Sequence, residues 1–147
     1  MVRFDGDRLI GLSQAEVYAR LTSMEFLVRC LPDVEQVCSL EDSQAQVALR
    51  PGFTFVRGTL DLTLKMVEKT PESRARLLLT TRGIGSGSEV EAGWTLLGEG
   101  NETKLVWFAE VKTLTGLLKL VPKGLITGAA EKVIQDTWQR LAQNMTV

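Results

Sequence analysis

The run LITGAAEKVIQDTWQRLAQN, residues 125–144, decides how this 147-residue chain folds. Ile126, Ala129, Ala130, Val133, Ile134, Thr137, Trp138 and Leu141 recur at helical spacing and form one broad apolar face. Glu131, Lys132, Gln135, Asp136, Gln139, Arg140 and Gln143 take the opposite face, where Lys132, Asp136 and Arg140 stand at four-residue steps as alternating charges. At ~1.5 Å per residue, a helix of about five turns crosses a whole small domain, so something large and apolar must receive it. Gly124, Gly128, Ala129 and Ala130 mark its first turns. Glycine inside a helix costs about 1 kcal/mol against alanine. These small residues therefore either let another backbone pack closely or leave room beside the helix for a bound molecule.

The receiving surface is written upstream, at period two. Residues 2–10 read as a first strand, interrupted or bulged near Asp5-Gly6-Asp7. Ser13 and Glu16 form a capping box that opens a short helix with Val17 and Leu21 inward, and Thr22 with Glu25 opens a second through Phe26, Leu27 and Cys30. Pro32 ends it. Strands follow at 34–40, 44–50, 55–69, 74–82, 89–97 and 103–113, joined by short turns. Their alternation places Leu60, Leu62, Leu64 and Met66, then Leu77 and Leu79, on one face. Val90, Trp94 and Leu96, then Leu105, Trp107, Ala109 and Val111, continue that face on the last two strands. Arg74, Arg76 and Arg82 share the wet face with Glu89 and Glu91, the pattern of cross-strand ion pairs. The expected architecture is α+β: a curved antiparallel sheet of about seven strands wrapped around the C-terminal helix, with two short helices between the first and second strands. No linker or repeat interrupts it, so residues 1–147 read as a single domain.

Composition narrows the chemistry. Seventeen basic side chains against 18 acidic leave no electrostatic footprint for nucleic acid. No apolar run approaches the ~20 residues of a membrane helix, and the N-terminus lacks a signal-peptide core. A cytoplasmic protein with at most peripheral membrane contact is expected. The chain has no histidine, which removes imidazole acid–base catalysis, His-based nucleophile pairs and nearly every transition-metal site. Cys30 and Cys38, eight apart, match no zinc spacing and are expected to be buried apolar side chains. No metal ligand set, catalytic residue or cofactor site is expected.

Several stretches carry a resemblance: RCLPDVE at 29–35, FVRG at 55–58, GIGSG at 83–87, GLL at 116–118 and GAAEK at 128–132. Individually weak but correctly ordered, they resemble the helix-grip (START-like, SRPBCC) superfamily of lipid-transfer domains, plant pollen-allergen proteins and polyketide cyclases. Within it, the chain is most similar to the family of the carbon monoxide dehydrogenase G subunit. It departs from that pattern at Asp33, where the family usually has glycine, and at Thr115-Gly116, which replaces a double glycine. The tail that some members carry after the last helix has no counterpart in these residues, so membrane attachment through such a tail is not expected. The resemblance implies an accessory protein of a molybdenum-hydroxylase-type redox enzyme, linked to membrane recruitment and to an apolar, quinone-like molecule.

A helix gripped by a curved sheet can enclose a cavity or have that space filled by side chains, and the sequence leaves both open. The expected lining is Leu62, Leu64, Met66, Leu77, Leu79, Trp94, Leu96, Trp107 and Ala109 from the sheet, with Ile126, Ala130, Val133 and Thr137 from the helix. Gly83, Gly85 and Gly87, with Phe53 and Phe55, are the expected mouth. The glycine run lacks the third glycine of a dinucleotide loop and precedes no helix, so it reads as a mobile turn. Residues 116–123 mix leucines and lysines and read as either a buried helix start or a gate or membrane contact. Inward proton-transfer candidates reduce to Thr81, Thr113 and Thr137, which are poor bases. The expected function is non-enzymatic binding of an apolar quinone- or lipid-like molecule. The alternative is a small cyclase or hydrolase using a carboxylate or lysine at the cavity mouth; a third reading is a partner protein with a collapsed cavity.

Overall fold

A computed structural model describes residues 2–50, 58–83 and 85–145. Strand β1 (Arg3–Ile10) leads into helices α1 (Gln14–Leu21) and α2 (Met24–Cys30). Six strands follow: β2 (Val34–Leu40), β3 (Gln44–Leu49), β4 (Leu60–Thr70), β5 (Arg74–Gly83), β6 (Ser86–Glu99) and β7 (Glu102–Gly116). A 3-10 turn (Leu117–Leu120) then delivers the chain to α3 (Lys123–Met145). All neighbouring strands are antiparallel, in the order β1-β7-β6-β5-β4-β3-β2. β1 and β2 are thus opposite edges of one seven-stranded sheet, and α1 with α2 carries the chain between them. This is the expected helix-grip architecture.

The short helices stop where their side chains dictate. Ser13 Oγ accepts from the Glu16 amide and caps α1. The second cap is Ser23, whose hydroxyl accepts from the Phe26 amide; Thr22, expected in that role, instead closes α1 by donating its hydroxyl to the Tyr18 carbonyl. One face of the pair (Val17, Leu21, Met24, Leu27 and Cys30) packs on Ala45, Val47, Leu64, Met66, Ala75, Leu77, Leu96 and Leu105 to form the closed core. Leu141 and Met145 bring the end of α3 into it. Arg20 donates to the Asn144 carbonyl at 2.9 Å, which satisfies one of the unpaired carbonyls of the last helical turn.

Three local expectations are corrected. β1 is unbroken, paired from Arg3↔Glu110 to Ile10↔Thr103. Gly6 makes room there for an indole, since a Cβ at this position would lie 3.2 Å from the Trp107 ring. Of the cysteines only Cys30 is buried, and burial pushes its thiol pKa up; Cys38 is exposed on edge strand β2. The glycine-rich stretch is mostly strand rather than loop, with Gly83 pairing Ser86 and Gly87 pairing Arg82 and Thr115. On the outer face Arg76 bridges Glu91 (3.3 Å) and Glu68 (3.0 Å), and Arg74 shares Glu68 at 3.1 Å. Pairing thus extends to β4, and these part-exposed contacts are worth about 0–1 kcal/mol each.

Candidate functional site

The inward face of the sheet changes character along its strands. At the α1–α2 end Leu105 is 0% and Leu96 2% exposed. Next comes the cross-strand pair Trp94↔Trp107, and Trp107 meets Trp138 of α3 with ring centroids 5.7 Å apart. The indole Nε1 atoms of Trp94 and Trp107 are buried without an acceptor among the described residues, so ring bulk rather than hydrogen bonding builds this wall. The next inward pair is Ala92↔Ala109, whose methyl groups are too short to reach a helix held off by indoles. A cavity of about 270 Å³ opens at that step.

Its floor is Leu60 and Leu62 of β4, Leu79 and Thr81 of β5, Ser88 and Val90 of β6, and Ala109 and Val111 of β7. Ile126, Ala129, Ala130, Val133 and Ile134 of α3 face them. Phe4, Leu31, Pro32, Asp33, Leu49, Leu114 and Leu118 complete the lining. Leu79, Val90, Ala109, Ala129, Ala130, Val133 and Ile134 are only half-buried although the sequence pattern turns each of them inward. Polar groups are few. Thr81 Oγ1 and Ser88 Oγ lie 2.5 Å apart, one hydroxyl donating to the other. Asp33, exposed and held at φ 63°, supplies the single carboxylate, and no lysine, arginine or glutamate lines the cavity among the described residues. No cluster of metal-ligating side chains occurs among the described residues.

Of the expected lining, Leu62, Leu79, Ala109, Ile126, Ala130 and Val133 surround this space. Leu64, Met66, Leu77 and Leu96 lie in the closed core, and Trp94 and Trp107 pack against it as the partition. Thr137 is folded back, donating to the Val133 carbonyl at 2.7 Å. Gly83, Gly85 and Gly87 line a second hollow at the hairpin end, which adjoins the cavity through Thr81 and Ser88; none of the three glycines lines the cavity itself. Phe53 and Phe55 lie outside the described residues. Gly124 and Gly128 are exposed, and a Cβ at either would meet nothing within 4 Å, so they serve neither close packing nor the cavity. Thr113 points outward: the pairing shift between Glu89↔Thr113 and Val90↔Val111 leaves Lys112 as an extra residue, which flips the alternation and turns Leu114 inward. Ser88 escaped the sequence reading because it fell in the glycine-rich run. Extending the β6 alternation backward from Trp94, Ala92 and Val90 would have found it.

Residues 117–120 are not a buried helix start. Leu117 is 57% exposed, Leu120 79% and Leu125 51%, while Leu118 turns into the cavity. The Leu117 amide donates to the Gly85 carbonyl at 3.1 Å, which fixes this turn to the β5–β6 hairpin. A larger hollow, about 560 Å³, runs between β1 and the end of α3 and includes Arg8, whose guanidinium lies 4.8 Å from the Trp138 ring centre. None of the expected cavity residues lines it.

Comparison with solved structures places this geometry among known folds. A conserved protein from Geobacillus kaustophilus superposes with TM-score 0.85 at 16% identity, over 99% of this chain and 95% of that one. A START superfamily protein from Mycobacterium smegmatis gives 0.67 at 11% identity, over 98% and 97%. The di-domain ARO/CYC BexL from the BE-7585A biosynthetic pathway gives 0.65 at 14%, over 99% of this chain and 46% of that one. At such identities the likeness is one of fold. No curated protein matches the sequence. The family model for the carbon monoxide dehydrogenase G subunit (CoxG) matches residues 6–146, and the chain belongs to that family.

Proposed function

We propose that this protein binds an apolar small molecule, quinone- or lipid-like, between the sheet and α3, and serves by binding as an accessory to a redox enzyme of the molybdenum-hydroxylase type. Family membership supports a ligand-binding accessory role. The observation that carries the finer reading is the half-buried apolar side chains facing each other across the cavity. Such surfaces lack the contacts a close-packed interior would supply, and an apolar guest restores them. The volume, about 270 Å³, sits just below the ~300–1,000 Å³ typical of small-molecule sites. A ring or short chain matches this volume, and a longer tail must extend past the rim.

Ala130 tests this directly. Ala130→Leu in a close-packed interface should cost about 1–3 kcal/mol through overpacking. Facing a cavity, the same change is expected to leave thermal stability unchanged or raised, because the new methyl groups gain contacts. It should also abolish any apolar molecule seen by native mass spectrometry of the freshly purified protein. A destabilised variant that still carries the molecule would place the ligand elsewhere.

The rim bears on where such a ligand comes from. Leu117, Leu120 and Leu125 are exposed, Lys119 and Lys123 lie among them, and no acidic residue occurs between Lys112 and Glu131. Leucines flanked by lysines suit shallow contact with an anionic lipid surface. Among the described residues no helix is long and apolar enough to cross a membrane. Co-sedimentation with vesicles containing anionic lipid is expected to fall several-fold in a Leu117→Ser/Leu120→Ser variant. Equal sedimentation of the two proteins would remove this contact from the proposal.

A further inference from the structure

We infer that the Thr81–Ser88 hydroxyl pair makes the cavity selective for ligands with a neutral oxygen, a ketone, ester or hydroxyl, over carboxylates and other anions. This rests on the ligand-binding reading above and specifies which apolar molecules the cavity takes. Thr81 and Ser88 are directly opposed in the β5–β6 register, and both line the cavity. Two hydroxyls 2.5 Å apart share one hydrogen, leaving one hydroxyl hydrogen unused. The mutual contact is the single hydrogen bond either side chain makes among the described residues. The pair therefore presents one donor to whatever occupies the space beside it. Everything else on the lining among the described residues is apolar except Asp33.

Charge completes the argument. A carboxylate or phosphate drawn into this cavity would lose its water and find no lysine or arginine on the lining among the described residues. Asp33 at the same cavity would add like-charge repulsion. A carbonyl or hydroxyl oxygen keeps its partner and carries no net charge to desolvate. One neutral hydrogen bond of ordinary strength changes a dissociation constant about three- to tenfold. Exclusion of the anion should exceed that, on the order of a hundredfold.

Three ring compounds of nearly one shape separate these effects: 2-ethylnaphthalene, 2-acetylnaphthalene and 2-naphthoate, measured by calorimetric titration of the full chain at neutral pH. The ketone is expected to bind several-fold more tightly than the hydrocarbon, with the carboxylate weakest. In Thr81→Val/Ser88→Ala the ratio of ketone to hydrocarbon affinity should fall to about one, whatever the more apolar lining does to the hydrocarbon itself. Ser88→Ala alone should remove part of that advantage and guards against a double variant that folds poorly. The inference is overturned if naphthoate binds as well as the ketone, if a ketone preference survives the double substitution, or if that substitution weakens all three ligands equally. If the hydrocarbon binds but the ketone gains nothing, only the role of the hydroxyls fails. If none of the three binds, the cavity reading itself falls, and this inference falls with it.

Discussion

Gly116→Ala is expected to cost about 3–5 kcal/mol, most of the stability a small domain ordinarily has to spare. Gly116 ends β7 at φ 63° and ψ −137°, a region close to that reserved for glycine, and strain of this kind costs about 1–3 kcal/mol for other residues. Contact adds to strain. A Cβ built there lies 1.9 Å from the Gly85 carbonyl oxygen, closer than any non-bonded pair can approach. Backbone must move, and the nearest backbone is the hairpin tip whose carbonyl accepts from the Leu117 amide. The substitution therefore frees the turn that places Leu118 against the cavity. Urea unfolding measures the cost, with Gly128→Ala as the control. Gly128 is an exposed helical position with nothing within 4 Å of its Cβ, so alanine there should stabilise by up to about 1 kcal/mol. Equal effects at the two glycines would show that Gly85 and Gly116 are not locked together as described.

Gly85 and Gly116 mark the boundary of what the sequence discloses. Periodicity assigned the strands and the long helix because each inward face is chosen by the hydrophobic effect, which leaves a repeat of two or about 3.6 in the residue order. The apolar face of α3 is the one that turns toward the sheet, with Ile126 and Leu141 buried and Ala130 and Val133 on the cavity. Residues whose place depends on backbone geometry were harder to read. The Gly83–Ser88 region resembles a flexible loop by composition, yet Gly83 sits where positive φ and a neighbouring carbonyl exclude a side chain, and Gly87 where a side chain would have to displace its neighbour. A Cβ on Gly83 would meet the Thr59 carbonyl at 2.9 Å, and one on Gly87 the Thr115 hydroxyl at 2.7 Å. Asp33 shows the same in reverse. It holds φ 63°, a left-handed conformation that glycine adopts without penalty and that composition alone does not announce at an aspartate.

Which inward residues enclose the cavity was not legible, because alternation says only that a side chain faces in. Leu96 and Leu79 obey the same rule, and one lies inside the closed core while the other packs against that core on one side and faces the cavity on the other. What separates them is volume: two tryptophans on the sheet and one on the helix stand between, with alanines immediately beyond. That contrast of large and small is present in the residue order at Trp94/Ala92 and Trp107/Ala109. It acquires meaning only once the register sets the two pairs side by side.

The division predicts unequal costs for one substitution made at both ends of the inward face. Leu105→Ala is expected to destabilise by about 3–5 kcal/mol, since Leu105 is wholly buried in the core shared by α1, α2 and the end of α3. Removing its branched end loses transfer energy and opens a void that tightly packed neighbours cannot fill. Leu79→Ala deletes the same atoms from a side chain already half-buried against open space. Less transfer energy is lost there and fewer contacts are stripped than at Leu105, although Leu79 also packs against the core, so about 1–2 kcal/mol is expected. In a chain of this length the difference should separate the two thermal midpoints by several degrees. Unfolding of the ligand-free protein is the measurement, because a bound molecule would stabilise the native state and blur the comparison. Equal losses at Leu79 and Leu105 would mean that the far end of the sheet is packed as tightly as the core, with no room for a guest beneath α3.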